Sequence, residues 1–281
     1  MNRAFLGAGI SCRPRYTAAL IRAADDPLRE SERPSVLEII PDHFATRLDT
    51  LSQLSAHYPT VFHDVGLSIG TLSGTEETRK VNRARMDRVK KLMDCARPLL
   101  FTEHLAMTHS PSGIDLGHLA PIWYTNRMLE RTSDHVRAWQ DAFGVPIALE
   151  NIAAPFTLPE ADLTEPEFFT QLVERTGCGL LLDVSNQLVN ARNQGVDPAE
   201  SLNGYPLSAV WGVHLAGGYK NRGVWVDSHD REVEEASFAL LLQVSKRARD
   251  LLTVIIERDE QLPELHQLVA EARKAEQVVR S

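Results

Sequence analysis

Short apolar runs alternate with amphipathic helical patterns along the whole chain, and this alternation limits the folds open to it. The eight runs lie at 4–10, 36–40, 61–67, 98–102, 146–150, 179–183, 210–215 and 252–257. Runs of this length, bounded by turn residues, predict buried strands. Helical segments between them predict parallel pairing. Eight such units in 281 residues predict an α/β fold, a single-domain TIM-like (β/α)8 barrel spanning residues 1–281.

Composition narrows the classes of partner. The net charge of −8 and the pI near 5.7 argue against binding to a nucleic-acid backbone, which requires basic surfaces. No apolar stretch approaches the ~18 residues of a membrane span, and the N-terminus lacks the apolar region of a signal peptide. The three cysteines form no CxxC pair, which excludes a thiolate zinc site and fits a reducing compartment. We therefore predict a cytoplasmic protein without nucleic-acid or membrane partners.

Almost every predicted strand places a carboxylate or an imidazole at or near its C-terminal end. In a barrel these ends converge on one rim, where active sites of this fold are built. The loop after the seventh strand adds two polar residues spaced two apart, which an extended backbone directs to one side. The strand-end residues are Glu38, His63, Glu103, His104, Glu150, Asp183, His214 and Glu257, and the loop residues are Asp227 and His229.

Such a crowd of carboxylates requires compensating positive charge, because mutual repulsion and burial otherwise raise their pKa values. Only Arg13 and Arg258 are expected near this rim, so we predict that bound metal ions supply the remaining positive charge. Imidazole, carboxylate and carboxamide ligands without thiolate suit iron, manganese or zinc. The ligands outnumber the three or four that one zinc ion takes, which favours two or more ions with bridging carboxylates.

Plainer roles stay open for single residues. His63 is compatible with a core histidine, and Glu38 with an ion pair to Arg13 from the neighbouring strand. Asn186 and Asn190 are compatible with turn formation. The metal prediction therefore depends on the whole set of strand ends rather than on any one of them.

Sequence blocks in a fixed order support a more specific identification. LEIIPDHF, FHDVGLSIG, PIALENIAAPF, LLLDVSNQLVN, VWGVHLAGG, WVDSHDREV and VIIERDEQLPEL follow one another between about Gly7 and Ala272. Together they resemble the multinuclear non-heme iron-dependent oxidative enzymes, the family that includes the methanobactin-biosynthesis oxidase. The fold of that family is a TIM-like barrel.

The resemblance implies two or three iron ions in mixed Fe(II)/Fe(III) valence, with dioxygen as co-substrate. It implies oxidative modification of a ribosomally synthesised, cysteine-containing precursor peptide, commonly at cysteine, in natural-product (RiPP) biosynthesis. A small partner protein that recognises the peptide leader is also implied. Carried over by motif, the metal ligands are His63, His104, Glu150, Asp183, Asn186, His214, Asp227, His229 and Glu257.

Further roles follow from the same motifs. Asp183, His214, Glu257 and Asp259 are the expected catalytic residues, and Asn151, Asn190 and Asp259 are expected to orient ligands. The family's NHG tripeptide is Asn193-Gln194-Gly195 here. Glutamine is a poorer iron ligand than histidine, so the choice between two and three irons stays open.

Two other functions are compatible with the ligand pattern. One is a divalent-metal-dependent isomerase or hydrolase of the xylose isomerase and apurinic endonuclease type, which works without dioxygen. The other is a non-enzymatic, metal-bound scaffold, which would hold metal but consume no oxygen.

Overall fold

The computed structural model describes residues 4–71, 76–154, 156 and 158–281. Within these residues the strands in chain order are β1 (Gly7–Ser11), β2 (Leu37–Ile39), β3 (Thr60–Asp64), β4 (Phe101–His104), β5 (Met107–His109), β6 (Asp115–Ala120), β7 (Ile147–Glu150), β8 (Gly179–Asp183), β9 (Val210–Leu215), β10 (Gly218–Asn221), β11 (Val224–Asp227) and β12 (Thr253–Ile256).

The helices of the same residues are α1 (Thr17–Asp25), α2 (Pro41–Phe44), α3 (Leu48–His57), α4 (Glu76–Ala96), α5 (Asn126–Phe143), α6 (Glu165–Thr176), α7 (Val184–Gln194), α8 (Pro198–Leu202), α9 (Glu235–Ser245) and α10 (Leu265–Arg280). Short 3-10 turns cover Pro14–Tyr16, Pro27–Glu32 and Leu207–Ala209. Among the described helices, none combines the length and apolar character needed to cross a membrane.

Eight strands form a closed parallel barrel in the order β1-β12-β9-β8-β7-β4-β3-β2, with β2 pairing back onto β1. Each of the eight apolar runs supplies one of these strands, so the predicted (β/α)8 barrel is confirmed. The extent of one domain over residues 1–281 stays a prediction.

Two antiparallel hairpins were not predicted as strands. The pairs β5–β6 and β10–β11 are inserted after β4 and β9, on the C-terminal side of the barrel. Their residues are mostly half-buried or exposed, so they lack the apolar run that marks a barrel strand. The extended backbone expected at Asp227 and His229 is present only as far as Asp227, where β11 ends, since His229 has a φ of 49°.

Local capping signals fix both ends of α5 and α6. The side chain of Thr125 accepts a hydrogen bond from the backbone N–H of Met128 at the start of α5. Thr164 and Glu167 form a reciprocal capping box at the start of α6. Gly144 and Gly177 end these two helices with φ of 67° and 68°, a left-handed conformation that glycine adopts at low cost.

Apolar side chains form an outer and an inner layer. The outer layer packs the barrel against the helices, and it includes Phe62, Phe101 and Leu149. Alternate strand positions point to the barrel interior and form a separate cluster. That inner cluster consists of Val36, Val61, Leu100, Ala148, Leu181, Leu252 and Ile255.

The inner layer should contribute strongly to stability. Leu181 is 2% exposed, whereas Leu28 is 94% exposed. Leu181→Ala should lower the free energy of unfolding by about 2–5 kcal/mol, because it removes packing and leaves a cavity. Leu28→Ala is the matched control and should change it by less than about 0.5 kcal/mol. Denaturant titration followed by circular dichroism measures both, and equal losses would contradict the layered packing.

Candidate metal centre

The polar residues of the site lie one inward-facing position beyond the inner apolar cluster. His63 follows Val61 by two residues on β3, and Asp183 follows Leu181 by two residues on β8. Because alternate residues of a strand share a face, both polar side chains point into the barrel. Three other strand ends repeat this arrangement, with the pairs Val36 and Glu38, Ala148 and Glu150, and Ile255 and Glu257.

His214 lies at the centre of the cluster and contacts three carboxylates. Its Nε2 is 2.7 Å from Glu38 Oε2, and its Nδ1 is 3.0 Å from Glu150 Oε1 and 3.1 Å from Glu257 Oε2. All four side chains are buried. Strands β2, β7, β9 and the end of β12 therefore meet at one imidazole.

Glu150 connects this centre to two further histidines. Its Oε2 lies 3.5 Å from His63 Nε2 and 3.3 Å from His104 Nε2. The rings of His63 and His104 meet edge to face, with centroids 4.6 Å apart. Thr102 Oγ1 lies 2.9 Å from His63 Nδ1, which leaves Nε2 of that ring directed at the carboxylate.

The β10–β11 hairpin brings the loop residues to the opposite side of the cluster. His229 Nε2 lies 2.9 Å from Asp227 Oδ2 and 4.0 Å from Asp183 Oδ2. Its Nδ1 lies 3.5 Å from Glu257 Oε2 and 3.4 Å from Asp259 Oδ2. The backbone of His229 has a φ of 49°, an uncommon value for a non-glycine residue that occurs frequently at functional sites.

The structure thus brings all nine sequence-predicted ligands to one rim. Three groups among the described residues have potential ligand atoms within 4.8 Å of one another. These groups are Glu38, His63 and His214; His63, His104 and Glu150; and Glu150, Asp183, His214 and Glu257. Asp227, His229 and Asn186 surround these groups and line the same cavity of about 560 Å³.

Glu38 belongs to the cluster rather than to an ion pair with Arg13. Its Oε2 contacts His214, whereas Arg13 pairs with Asp259 and donates from Nε to the carbonyl oxygen of Arg258 at 3.1 Å. The reading of Glu38 as a partner of Arg13 is therefore wrong. The signal that could have placed Glu38 is its position two residues after the inward-facing Val36.

Two other candidates do not belong to these ligand groups, although Glu103 Oε1 lies 3.5 Å from His104 Nδ1. Both carboxylate oxygens of Glu103 accept backbone N–H hydrogens, from His104 at 2.9 Å and from Leu67 at 2.8 Å. This carboxylate therefore anchors the loop after β3. Gln194 is exposed at the end of α7 and lines a different cavity, so the position of the family histidine does not face the cluster here.

Two asparagines, Asn151 and Asn190, hold the backbone around the cluster. Asn151 donates from Nδ2 to the carbonyl oxygen of Asp183 at 2.9 Å and accepts from its N–H at 2.8 Å. Asn190 bonds the backbone of Ile152 and Ala154 in the same two-sided way, at 2.9 and 2.8 Å. These side chains fix the directions in which the segments after β7 and β8 leave the barrel.

Asn193 clamps the hairpin onto α7. Its Nδ2 donates to the carbonyl oxygen of Trp225 at 2.9 Å, and its Oδ1 accepts from the N–H of Trp225 at 2.8 Å. The guanidinium of Arg192 stacks 4.0 Å from the centroid of the Trp225 ring and pairs with Glu234 at 2.8 Å. The hairpin that carries Asp227 is thereby fixed to the helix that follows Asp183.

Histidine supplies much of the positive charge among these carboxylates. Burial opposes protonation of His214, but the carboxylates of Glu257, Glu38 and Glu150 raise its pKa well above the usual value. Burial is also the largest single effect on Glu257, but the charge and hydrogen bond of His214, together with the charges of His229 and His63, outweigh it and hold the pKa of that carboxyl well below its usual range. The expected rise of carboxylate pKa values therefore does not occur at Glu257, whereas burial raises the pKa of Glu103 to about 7 although His104 Nδ1 lies 3.5 Å away.

Asp183 behaves in the opposite way. Burial, followed by the charges of Asp227 and Glu150, raises the pKa of the Asp183 carboxyl well above its usual value. No imidazole comes closer to it than the 4.0 Å contact with His229 among the ion pairs of the described residues. A cation bound beside Asp183 would offset these effects and favour its charged form.

Unpartnered oxygen atoms test whether the site suits a metal ion. A buried oxygen without a hydrogen-bond partner is costly. Five candidate oxygens are in that state, namely Glu38 Oε1, Glu150 Oε2, Asp183 Oδ2, Asn186 Oδ1 and Asp227 Oδ1. A cation accepts lone pairs from such oxygens, and the donor set of imidazole and oxygen suits iron, manganese or zinc. The residues present therefore fit a metal site.

The Asn193 clamp should be required for full metal affinity. Asn193→Leu removes both hydrogen bonds to Trp225, so Asp227 and His229 lose their fixed position. Residues that orient ligands typically contribute about 10- to 100-fold to metal affinity, and we expect a loss of that size in anaerobic Fe(II) titrations. Asn221→Leu, at an exposed position of the same hairpin, is the control. Unchanged affinity in Asn193→Leu, with an intact circular dichroism spectrum, would exclude this role.

Comparison with known proteins agrees with this architecture. UPF0276 protein of Chromobacterium violaceum is 35% identical over 234 residues, which cover 83% of this chain and 82% of that relative. UPF0276 protein of Streptomyces avermitilis is 36% identical over 274 residues, covering 95% of this chain but 53% of the relative.

Solved structures share the fold at low identity. IolI protein with a bound zinc atom has a TM-score of 0.57 at 15% identity, covering 95% of this chain and 92% of that one. L-ribulose 3-epimerase has a TM-score of 0.59 at 13% identity, with 100% and 96% covered. Endonuclease IV of Thermus thermophilus has a TM-score of 0.57 at 18% identity, with 96% and 97% covered. At these identities the likeness shows the barrel alone.

A sequence model of a known family covers nearly the whole chain. The family is described as RiPP precursor modification enzyme MbnB/TglH/ChrH, and the match spans residues 7–280. It is the family of multinuclear non-heme iron-dependent oxidative enzymes that the sequence blocks resemble, so that identification is confirmed. The chain belongs to the MbnB/TglH/ChrH family of RiPP precursor modification enzymes.

Proposed function

We propose that this protein is an iron- and dioxygen-dependent enzyme that oxidatively modifies a ribosomally synthesised precursor peptide at cysteine. The main supporting observation is the ring of buried carboxylate and imidazole groups at the mouth of the barrel, several of whose atoms have no hydrogen-bond partner. Membership of a family of RiPP precursor modification enzymes supports the peptide substrate. Iron as the metal, dioxygen as the oxidant and cysteine as the modified residue are proposed.

Two or three iron ions would bind in the three overlapping ligand groups. His63, Glu150 and His214 each belong to two of these groups, so each could hold either of two neighbouring ions. To the nine ligands assigned from the motifs we add Glu38, because its Oε1 is buried and unpartnered. Asp227, His229 and Asn186 would complete coordination from the hairpin and from α7.

Iron, when bound, supplies the one-electron redox chemistry that amino-acid side chains lack. The chain contributes geometry and shielding. Asn151 fixes the backbone of Asp183, and the inner apolar cluster below the ligands keeps water from the barrel interior. A cavity of about 560 Å³ above the ligands accommodates a cysteine side chain with its flanking backbone.

Four residues are proposed to act on the reacting group as well as on the metal. Glu257 lines the cavity, and Asp183 and His214 belong to the same group of buried ligand atoms. Because these groups lie so close together, they would exchange protons with one another and with the reacting group. Asp259 contacts Arg13 through Oδ1 and lies 3.4 Å from His229 Nδ1 through Oδ2. It would therefore hold the His229 ring and accept its proton.

The setting of the reaction is part of the proposal. A cysteine-containing peptide must stay reduced until it is modified, which fits the cytoplasm predicted from the cysteine pattern. A small partner protein that binds the peptide leader would present the peptide to the cavity. The epimerase and endonuclease neighbours share only the fold, so their activities are not carried over to this chain.

The decisive measurement is iron content together with oxygen use. Protein purified without oxygen should contain two or three irons per chain, with a mixed-valence signal in electron paramagnetic resonance. It should consume dioxygen only with a cysteine-containing peptide, and the same peptide with serine in place of cysteine is the control. One zinc ion with turnover that ignores oxygen would favour an isomerase or hydrolase instead. Bound metal without oxygen uptake on any peptide would favour a scaffold.

Asp183 should be essential for metal binding but not for folding. Asp183→Ala removes a carboxylate whose Oδ2 is buried and unpartnered, so iron content should fall by about one ion or more per chain. The barrel should persist, because the loss of the hydrogen bond that Asp183 accepts from the Asn186 N–H at the start of α7 costs only about 0.5–2 kcal/mol. Asp134→Ala is the control, since Asp134 is exposed and pairs only with Arg137 among its ion pairs. Full iron content in Asp183→Ala would remove this residue from the ligand set.

A further inference from the structure

A second cavity, hereafter the side chamber, adjoins the metal cavity. It has a volume of about 580 Å³ and lies between the segment after β7, the start of α6 and the face of α7. Ala154 lines both cavities. The segment that separates them is held by Asn190, which bonds the backbone of Ile152 and Ala154. An extended peptide that enters one cavity can therefore place a neighbouring side chain in the other.

The walls of the side chamber are largely apolar. They include Ile122 and Ile152, which are buried, and Ala191 on α7. Phe156 lies at its opening and is 57% exposed. Such walls favour the aliphatic or aromatic part of a side chain, because burying apolar surface contributes about 25 cal/mol per Å².

The charge of the side chamber has one sign. Three carboxylates line it, and none of the described lining residues is lysine, arginine or histidine. Glu165 is the innermost of them: its Oε1 accepts the hydroxyl hydrogen of Tyr124 at 2.7 Å, and its Oε2 that of Tyr205 at 2.6 Å. Burial raises the pKa of the Glu165 carboxyl, and the hydrogen bonds that the two phenols donate oppose that rise.

Gln187 provides an independent sign of a ligand. The residue is 2% exposed and lines the side chamber, and its Nε2 donates to the carbonyl oxygen of Pro198 at 3.2 Å. Its Oε1 is buried and has no hydrogen-bond partner. A buried acceptor of this kind is costly unless a donor reaches it. Apolar walls, negative charge and a free acceptor together fit a long aliphatic stem that ends in a cationic N–H donor.

We infer that the side chamber binds a lysine or arginine side chain of the precursor peptide while a neighbouring cysteine lies in the metal cavity. The peptide in this inference rests on the proposed function. The cationic specificity rests on Glu165, Gln187 and the apolar walls alone. The side chamber would thus select among peptides by the residue beside the modified position.

The test uses small probes with the full chain. N-acetyl-L-arginine methylamide and the corresponding lysine compound should bind at least about 5-fold more tightly than N-acetyl-L-norleucine methylamide, in ligand-observed NMR titrations. Glu165→Gln keeps the side-chain shape and removes the charge, so the preference for the cationic probes should disappear. Glu174→Gln, an exposed position on the same helix, should keep it. Equal binding of the three probes to the unchanged protein, or an unchanged preference in Glu165→Gln, overturns the inference.

A second variant covers the case in which Glu165→Gln disturbs folding. Ala191→Met should fill the side chamber from α7 and weaken all three probes at least about 5-fold. Binding of the arginine probe at full strength in a folded Ala191→Met protein would also overturn the inference. Probe binding needs neither iron nor dioxygen. A protein that shows the cationic preference but no oxygen uptake would refute the proposed function alone, and an active oxidase without the preference would refute the side chamber alone.

Discussion

The alternation of side chains along eight parallel strands is the constraint on which the site depends. On five strands, β2, β3, β7, β8 and β12, the polar residue at the C-terminal end follows an inward-facing apolar residue by two positions. Val61 lies beneath His63, and Ala148 lies beneath Glu150. A shift of one residue in any strand would turn its polar end outward. The same pattern that closes the apolar interior therefore also gathers the charged groups at one mouth.

Burying so many ionisable groups is unfavourable unless each is paired. The barrel offsets part of this cost with contacts among the groups themselves, in which one imidazole, His214, touches three carboxylates. It offsets another part with backbone hydrogen bonds, as at Glu103. What remains is the set of unpartnered oxygens that includes Asp183 Oδ2 and Asp227 Oδ1.

Helix α7 explains why a buried strand ends in a carboxylate followed by carboxamides. Asn186, Asn190 and Asn193 are spaced by four and three residues, so they share one face of the helix. Each one reaches a different backbone segment: the carbonyl oxygen of Asn151, the segment 152–154 and Trp225 of the hairpin. With Asp183 as the N-cap of the same helix, α7 ties the ligand on β8 to the loops on both sides.

The sequence predicted those features that depend on hydrophobic periodicity and on the residue type at each strand end. The eight barrel strands follow from apolar runs, and the convergence of His63, Glu150 and His214 follows from their position at strand ends. The two hairpins were not predicted, because their residues carry no apolar run. His214 was not predicted as the partner of Glu38, because it is 176 residues away in the sequence. Arg13 is nearer in the sequence, but it pairs with Asp259 instead. Choices among alternative long-range partners depend on side-chain geometry, which a single sequence does not specify.

The charge distribution of the site also bears on how the barrel can bury it. The carboxylates of Glu257, Glu38 and Glu150 raise the pKa of His214 well above its usual value, which favours a positive charge among them. Burial and the neighbouring carboxylates raise the pKa of Asp183, which disfavours a further negative charge. Both shifts reduce the net negative charge that the folded barrel has to bury. Binding of the proposed metal ions would release protons from groups that already lie in position, so the contacts that make the cluster tolerable to bury would also pre-organise the site.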